Sequence, residues 1–170
     1  MANKAAYICD ADALINMNRH FTRKTREIRG LFLDGLAKIP EGVHRELREG
    51  TDKLAKNIDK WSNSIDFVIL WDSNEILKSE LKRIEQNYGD SIVVGGVKYN
   101  GFWKSKAGKR SADGQVVTCA KVFNCAVVSN DKAIESVCLL ENIPCIGWKE
   151  FARRVGLSKK QMDLFADSTA

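Results

Sequence analysis

The sequence predicts an α/β domain with a mainly parallel central sheet of roughly four to five strands and helices on both faces. Three observations carry this reading. Short apolar runs that suit buried strands alternate with stretches of helical periodicity. Two of those runs end in a carboxylate, at Asp10 and Asp131. The 170 residues suffice for one domain with a real core and are too few for two comfortable ones, so 1–170 reads as a single domain.

Along the chain, residues 5–9 form the first strand and deliver Asp10 at its end. A helical pattern follows from Asp12, with Asp10 or Asp12 as its cap. Thr22 can cap a second helix, in which Ile28, Leu31, Phe32, Gly35 and Leu36 recur at spacings of three and four. Pro40 breaks the chain, and residues 40–49 read as a turn leading into another helix. Residues 54–61 form a further short helix, and Asp-Phe-Val-Ile-Leu-Trp at 66–71 is the second clear strand. Ser73 opens a helix whose apolar stripe is Ile76, Leu77, Leu81 and Ile84.

Between 89 and 110 the helical pattern vanishes. Ile92-Val93-Val94, then Gly95-Gly96, then Val97-Lys98-Tyr99 spell a β-hairpin, because two glycines suit a two-residue turn. This basic hairpin and loop at about 89–110 is an insertion in the alternating pattern. Ser111 caps a helix to about Phe123, and Asn124 suits its stop. Residues 125–129 are the third buried strand, 131–141 are helical, 143–146 are the fourth strand, and two short helices close the chain.

Composition excludes several classes. Hydrophobic residues at 44% and charged residues at 29% are ordinary for a globular chain and wrong for a disordered or fibrous one. The longest stretch without a charge is nine residues, 122–130. A membrane span needs about 20 apolar residues. The apolar stretch at 5–9 is too short for a signal peptide. A soluble, cytoplasmic protein that binds no membrane is expected. The five cysteines form no Cys-x-x-Cys pair, and the two histidines, His20 and His44, give no zinc spacing. The cysteines read as small buried hydrophobes.

The net charge of +5 is concentrated. Residues 91–112 hold no acid but five bases: Lys98, Lys104, Lys106, Lys109 and Arg110. Localised positive charge suits a phosphate-bearing partner. A second cluster, Arg19, Arg23, Lys24, Arg26 and Arg29, is relieved only by Glu27 and reads as the solvated face of a helix.

Sites on parallel sheets form at the C-terminal ends of strands. Asp10 and Asp131 stand at such ends. Asp113 falls in the first turn of a helix, where the N-terminal dipole favours an anion. Glu46 lies in Val-His-Arg-Glu-Leu, beside packing residues Val43 and Leu47. Clustered like charges are costly unless cations neutralise them, and Mg²⁺ or Mn²⁺ take carboxylate oxygens readily.

The order of these motifs resembles the PIN-domain ribonuclease family. It runs strand–Asp10-Ala-Asp12-Ala-Leu-Ile, then Val-His-Arg-Glu46-Leu, then Ser-Ala-Asp113-Gly-Gln-Val-Val-Thr-Cys-Ala, then Val-Val-Ser-Asn130-Asp131-Lys, over roughly residues 5–150. The resemblance implies a metal-dependent endoribonuclease whose acidic quartet is Asp10, Glu46, Asp113 and Asp131, holding Mg²⁺ or Mn²⁺, with Asp12 and Asn130 adjacent. It also implies kinship with VapC-type toxins, and so leaves an antitoxin partner and a homodimer open.

Three departures accompany the resemblance. Asp12 stands where the family usually has Ser, Thr or Asn, and is read first as a helix cap. Residue 114 is Gly where many members have a larger helix former. The 89–110 segment is longer than compact forms require, and it leads straight into Asp113. Lys104, Lys106, Lys109 and Arg110 are therefore read as an RNA-backbone clamp. Phe102 and Trp103 beside them can either stack on a base or pack the loop against the body.

With no placed His or Ser–His–Asp set, the protein offers no nucleophile of its own, and metal-activated water is the expected attacker. Two alternatives stand. One is a non-catalytic RNA-binding module on the same scaffold. The other is a haloacid-dehalogenase-like phosphatase, suggested by Asp10-Ala-Asp12 with Ser129 as a second motif. That second alternative lacks the acid expected after 143–146.

Overall fold

The computed structural model describes residues 6–103 and 112–158. The chain opens with β1 (Tyr7–Cys9), α1 (Ala11–His20), α2 (Thr25–Leu33), β2 (Ala37–Pro40), α3 (Glu41–Arg48), α4 (Lys53–Ser62) and β3 (Val68–Ile69). It continues with α5 (Glu75–Tyr88) and a hairpin of β4 (Ser91–Val94) and β5 (Val97–Asn100). Then come α6 (Asp113–Phe123), β6 (Ala126–Val128), α7 (Lys132–Leu140), β7 (Cys145–Ile146) and α8 (Trp148–Arg154).

The fold is α/β, with a five-stranded sheet in the order β3-β2-β1-β6-β7 and every pairing parallel. This architecture fits a PIN-like domain. From β1 the chain steps outward to β2 and β3, whereas from β6 it steps the opposite way to β7. Right-handed crossovers then place α1 and α2 on one face and α7 on the other. The direction of winding reverses between β1 and β6, which pair in step: Tyr7 opposite Ala126, Cys9 opposite Val128. Ile8, Cys9, Ile39, Val127 and Val128 are fully buried in these strands, as a sheet covered on both faces requires.

Several expectations are corrected. β2 was not anticipated, because Leu36 and Ile39 continue the apolar spacing of the preceding helix. The helix instead stops at Leu33, and Gly35 takes φ 73°, a left-handed turn that releases the chain into a strand ending at Pro40. Thr22 does not cap α2; its N-cap is Lys24, with no side-chain bond. Ile76 is 69% exposed and leaves the α5 stripe to Leu77, Leu81 and Ile84. Ser111 and the second closing helix lie outside the described residues.

The hairpin forms as expected, with φ of 57° and 79° at Gly95 and Gly96. Its ladder continues beyond the strands: Gly101 N–H donates to Asp90 O at 3.1 Å, Phe102 to Tyr88 at 3.1 Å and Trp103 to Gly89 at 3.0 Å. Gly114 allows α5 to lean against α6, since a Cβ there would stand 3.2 Å from Leu81 Cδ1. The same helices are locked by Glu141, just past α7. Arg83 donates to both its oxygens at 2.9 Å, Tyr88 Oη adds a bond at 2.9 Å, and Lys121 Nζ stands 3.3 Å away. The Arg83 bonds lead in pulling the Glu141 pKa down to about 2. All five cysteines are free. No helix among the described residues is long and apolar enough to cross a membrane.

Candidate active site

Asp10 follows β1 in extended backbone and is the N-cap of α1. Its Oδ1 accepts the Ala13 N–H at 2.8 Å, so the cap is Asp10 and not Asp12. Its Oδ2 accepts a short hydrogen bond from Ser129 Oγ, which follows β6. The same Ser129 hydroxyl accepts the Asp131 N–H at 3.0 Å. Asp131 in turn caps α7, its Oδ1 accepting from Ile134 N at 3.0 Å. One buried hydroxyl therefore ties the ends of β1 and β6, at the reversal in winding where open α/β sheets bind ligands.

Asp113, the first residue of α6, is buried like Asp10, at 3% and 5% exposure. Burial is the largest cause lifting the Asp10 pKa to about 6, opposed by the Ser129 and Ala13 bonds. The charges of Asp12 and Asp113 raise it further, which places all three acids within electrostatic reach. Asp12 itself is exposed in the first turn of α1. On the β7 side, Cys145 donates to Ser129 O at 3.9 Å. A bond with Cys138 pulls the Cys145 pKa down, against burial and the charges of Glu135, Asp10 and Asp131.

Glu46 approaches from α3, half-buried between the core residues Val43 and Leu47. It shares a helix flank with Gly42, four residues earlier. Gly42 N–H donates to Gln115 Oε1 at 2.8 Å, and a Cβ at 42 would meet the Ala112 Cβ at 3.1 Å. The flank of α3 thus meets the first turn of α6, and Glu46 stands one turn beyond that contact. Asn130 acts structurally, since its Oδ1 accepts the Trp148 N–H at 2.9 Å and anchors α8.

Lys104, Lys106, Lys109 and Arg110 lie outside the described residues. The stem below them decides one alternative: Phe102 is 1% exposed and packs in the core, so it does not offer a face to a base. Trp103 is half-buried over Gly89, where a Cβ would meet its ring at 2.8 Å.

Among the described residues, no three His, Cys, Asp or Glu side chains are gathered closely enough to form a ready metal cage. The donor chemistry nonetheless fits a hard divalent cation. Asp10 and Asp113 are buried carboxylates, and to the burial that mainly lifts the Asp10 pKa the charges of Asp12 and Asp113 add a smaller push, which such a cation would relieve. The residue missed by sequence reasoning is Ser129, weighed there only as a phosphatase motif. Its signal is a hydroxyl at the end of Val-Val, two residues before a capping Asp.

No family model matches this chain, and no curated protein matches it. Among solved structures it is similar to the crystal structure of PAE2754 from Pyrobaculum aerophilum, at 13% identity and a TM-score of 0.49, over 93% of this chain and 100% of that one.

Proposed function

We propose that this protein is a PIN-like, metal-dependent endoribonuclease that hydrolyses RNA phosphodiester bonds with water as the attacking group. The observation that carries the reading is the Asp10–Ser129–Asp131 tie at the reversal between β1 and β6, with Asp113 buried in electrostatic reach. Asp10, Asp113 and Asp131, with Glu46 from the α3 flank, would hold Mg²⁺ or Mn²⁺. Such an ion, when bound, supplies a water of lowered pKa and neutralises charge on the phosphate.

The chain's own residues do the positioning. The Ala13 amide and the Ser129 hydroxyl fix both oxygens of Asp10, so its orientation is set before any ligand arrives. Burial keeps water from competing at Asp10 and Asp113. Lys104, Lys106, Lys109 and Arg110 supply positive charge for the RNA backbone. The RNA substrate fits a cytoplasmic location. A VapC-like toxin role, with an antitoxin partner or a homodimer, rests on the resemblance alone.

Incubation of a labelled single-stranded RNA with Mg²⁺ or Mn²⁺ tests the reading. Cleavage by the native chain, abolished by EDTA and absent in Asp10→Asn, is the expected result. Undiminished cleavage in Asp10→Asn or in EDTA would overturn it.

A further inference from the structure

We infer that Arg19, Arg23 and Lys149, gathered around Trp148, form a second cationic lip that holds RNA phosphates beyond the scissile bond on the α8 side. The inference rests on the ribonuclease reading and extends it to the path of the substrate.

Trp148 links the two places. Its N–H is held by Asn130, which sits between Ser129 and Asp131 at the end of β6. Its ring receives the end of α1: the His20 ring lies 4.6 Å away, centroid to centroid, and the Phe21 ring 6.5 Å away edge-on. Lys149 Nζ stands 5.6 Å from the same ring. Just beyond, Lys24 Nζ donates to Leu157 O at 2.5 Å and clamps the α1–α2 junction to the end of α8. These contacts bring the backbone at Arg19 and Arg23, which flank His20 and Phe21, close to Lys149.

All three side chains belong to exposed residues, and none is paired with a carboxylate among the described residues. The one acid of α8, Glu150, is taken by Arg153 and Arg154. Lys132, next to Asp131, is engaged with Glu135 at 3.4 Å. Glu27 is the one acid among Arg19, Arg23, Lys24, Arg26 and Arg29, so the field at the lip stays positive, which suits a polyanion. RNA is the polyanion the observations favour, because the backbone N–H of Trp148 ties the lip to Asn130, between Ser129 and Asp131. α1 runs from Asp10 to the lip over 10 residues, about 15 Å. A strand that touches both must be several nucleotides long.

That length requirement supplies the test. Binding is measured in the Asp10→Asn background across a KCl series, for a long single-stranded RNA and for a tetranucleotide. The lip variant is Arg19→Ala/Arg23→Ala/Lys149→Ala, and its charge-keeping control is Arg19→Lys/Arg23→Lys/Lys149→Arg. A single-strand phosphate contact contributes roughly 0.7 to the salt slope, so losing three should flatten it by about 2 for the long RNA. The tetranucleotide and the control should bind as the parent does, with unchanged melting temperatures. A parental slope in the Ala variant overturns the lip and leaves the ribonuclease reading standing. Equal losses on both RNAs also overturn it, since the residues would not be acting at a distance from the carboxylates. A parent that binds neither RNA overturns both readings.

Discussion

Asp10 and Ser129 are joined by a hydrogen bond across the two central strands, although 119 residues separate them in sequence. The hydroxyl serves an acid on each side, donating to Asp10 and accepting from the Asp131 amide. Removing it tests whether orientation at this point matters. In Ser129→Ala the bond that lowers the Asp10 pKa is lost, so that pKa should rise above about 6. The acid limb of the pH–rate profile should move the same way. An unmoved limb would show that Ser129 does not act through Asp10. The stability cost should be about 1–3 kcal/mol, as for other buried partners left unsatisfied.

Asp10→Asn should stabilise the fold at neutral pH while abolishing cleavage. The folded pKa of about 6 lies above the ordinary 3.8, so the native state binds the proton more tightly than the unfolded chain. Stability from this group is fully present below about 3.8 and is lost as pH rises through about 6. At pH 7 the ionised carboxylate costs on the order of 3 kcal/mol. Asn keeps an oxygen for the Ala13 amide and carries no charge. Urea melts at pH 4 and pH 7 should show the variant's advantage only at the higher pH.

Mg²⁺ or Mn²⁺ at millimolar concentration should raise the melting temperature, because the cation binds the folded arrangement. The gain should be larger at pH 7 than at pH 5, since Asp10 must shed its proton to become a ligand. A shift of equal size in Asp10→Asn would place the cation elsewhere.

Glu141→Ala should destabilise by about 1–3 kcal/mol, since Tyr88 loses its partner and Arg83 keeps only Glu80. Its folded pKa of about 2 lies below the ordinary 4.5. The stability it gives is therefore present above about 4.5 and lost as pH falls toward 2. Cleavage per folded molecule should not change, because this knot stands among α5, α6 and α7.

The sheet and the hairpin were legible because their signals are local: apolar runs at β1, β6 and β7, and two adjacent glycines at the turn. β2 was not, since Leu36 and Ile39 continue the helical spacing of Phe32 and only Gly35 marks the break. Strand ends and helix starts were legible enough to place Asp10, Asp113 and Asp131 where the structure has them. The spacing suits either Asp10 or Asp12 as the cap of α1, and the Ala13 N–H bond to Asp10 Oδ1 decides it against Asp12. Ser129 was legible as a strand end but not as a link, because its partner Asp10 is distant in sequence. The second basic cluster reads as solvated surface, and Arg19 and Arg23 are exposed; the packing of the neighbouring His20 and Phe21 on Trp148, more than a hundred residues further along, is not local enough to be legible.

The pairing of β1 with β6 also orders events during synthesis. Asp10 is made well ahead of Ser129 and Asp131, which lie some 119 residues further along the chain. A nascent or prematurely ended chain that stops before β6 cannot assemble the site, whatever else has folded. On the ribonuclease reading, the chain would thus stay inert beside its own message until β6 has been made.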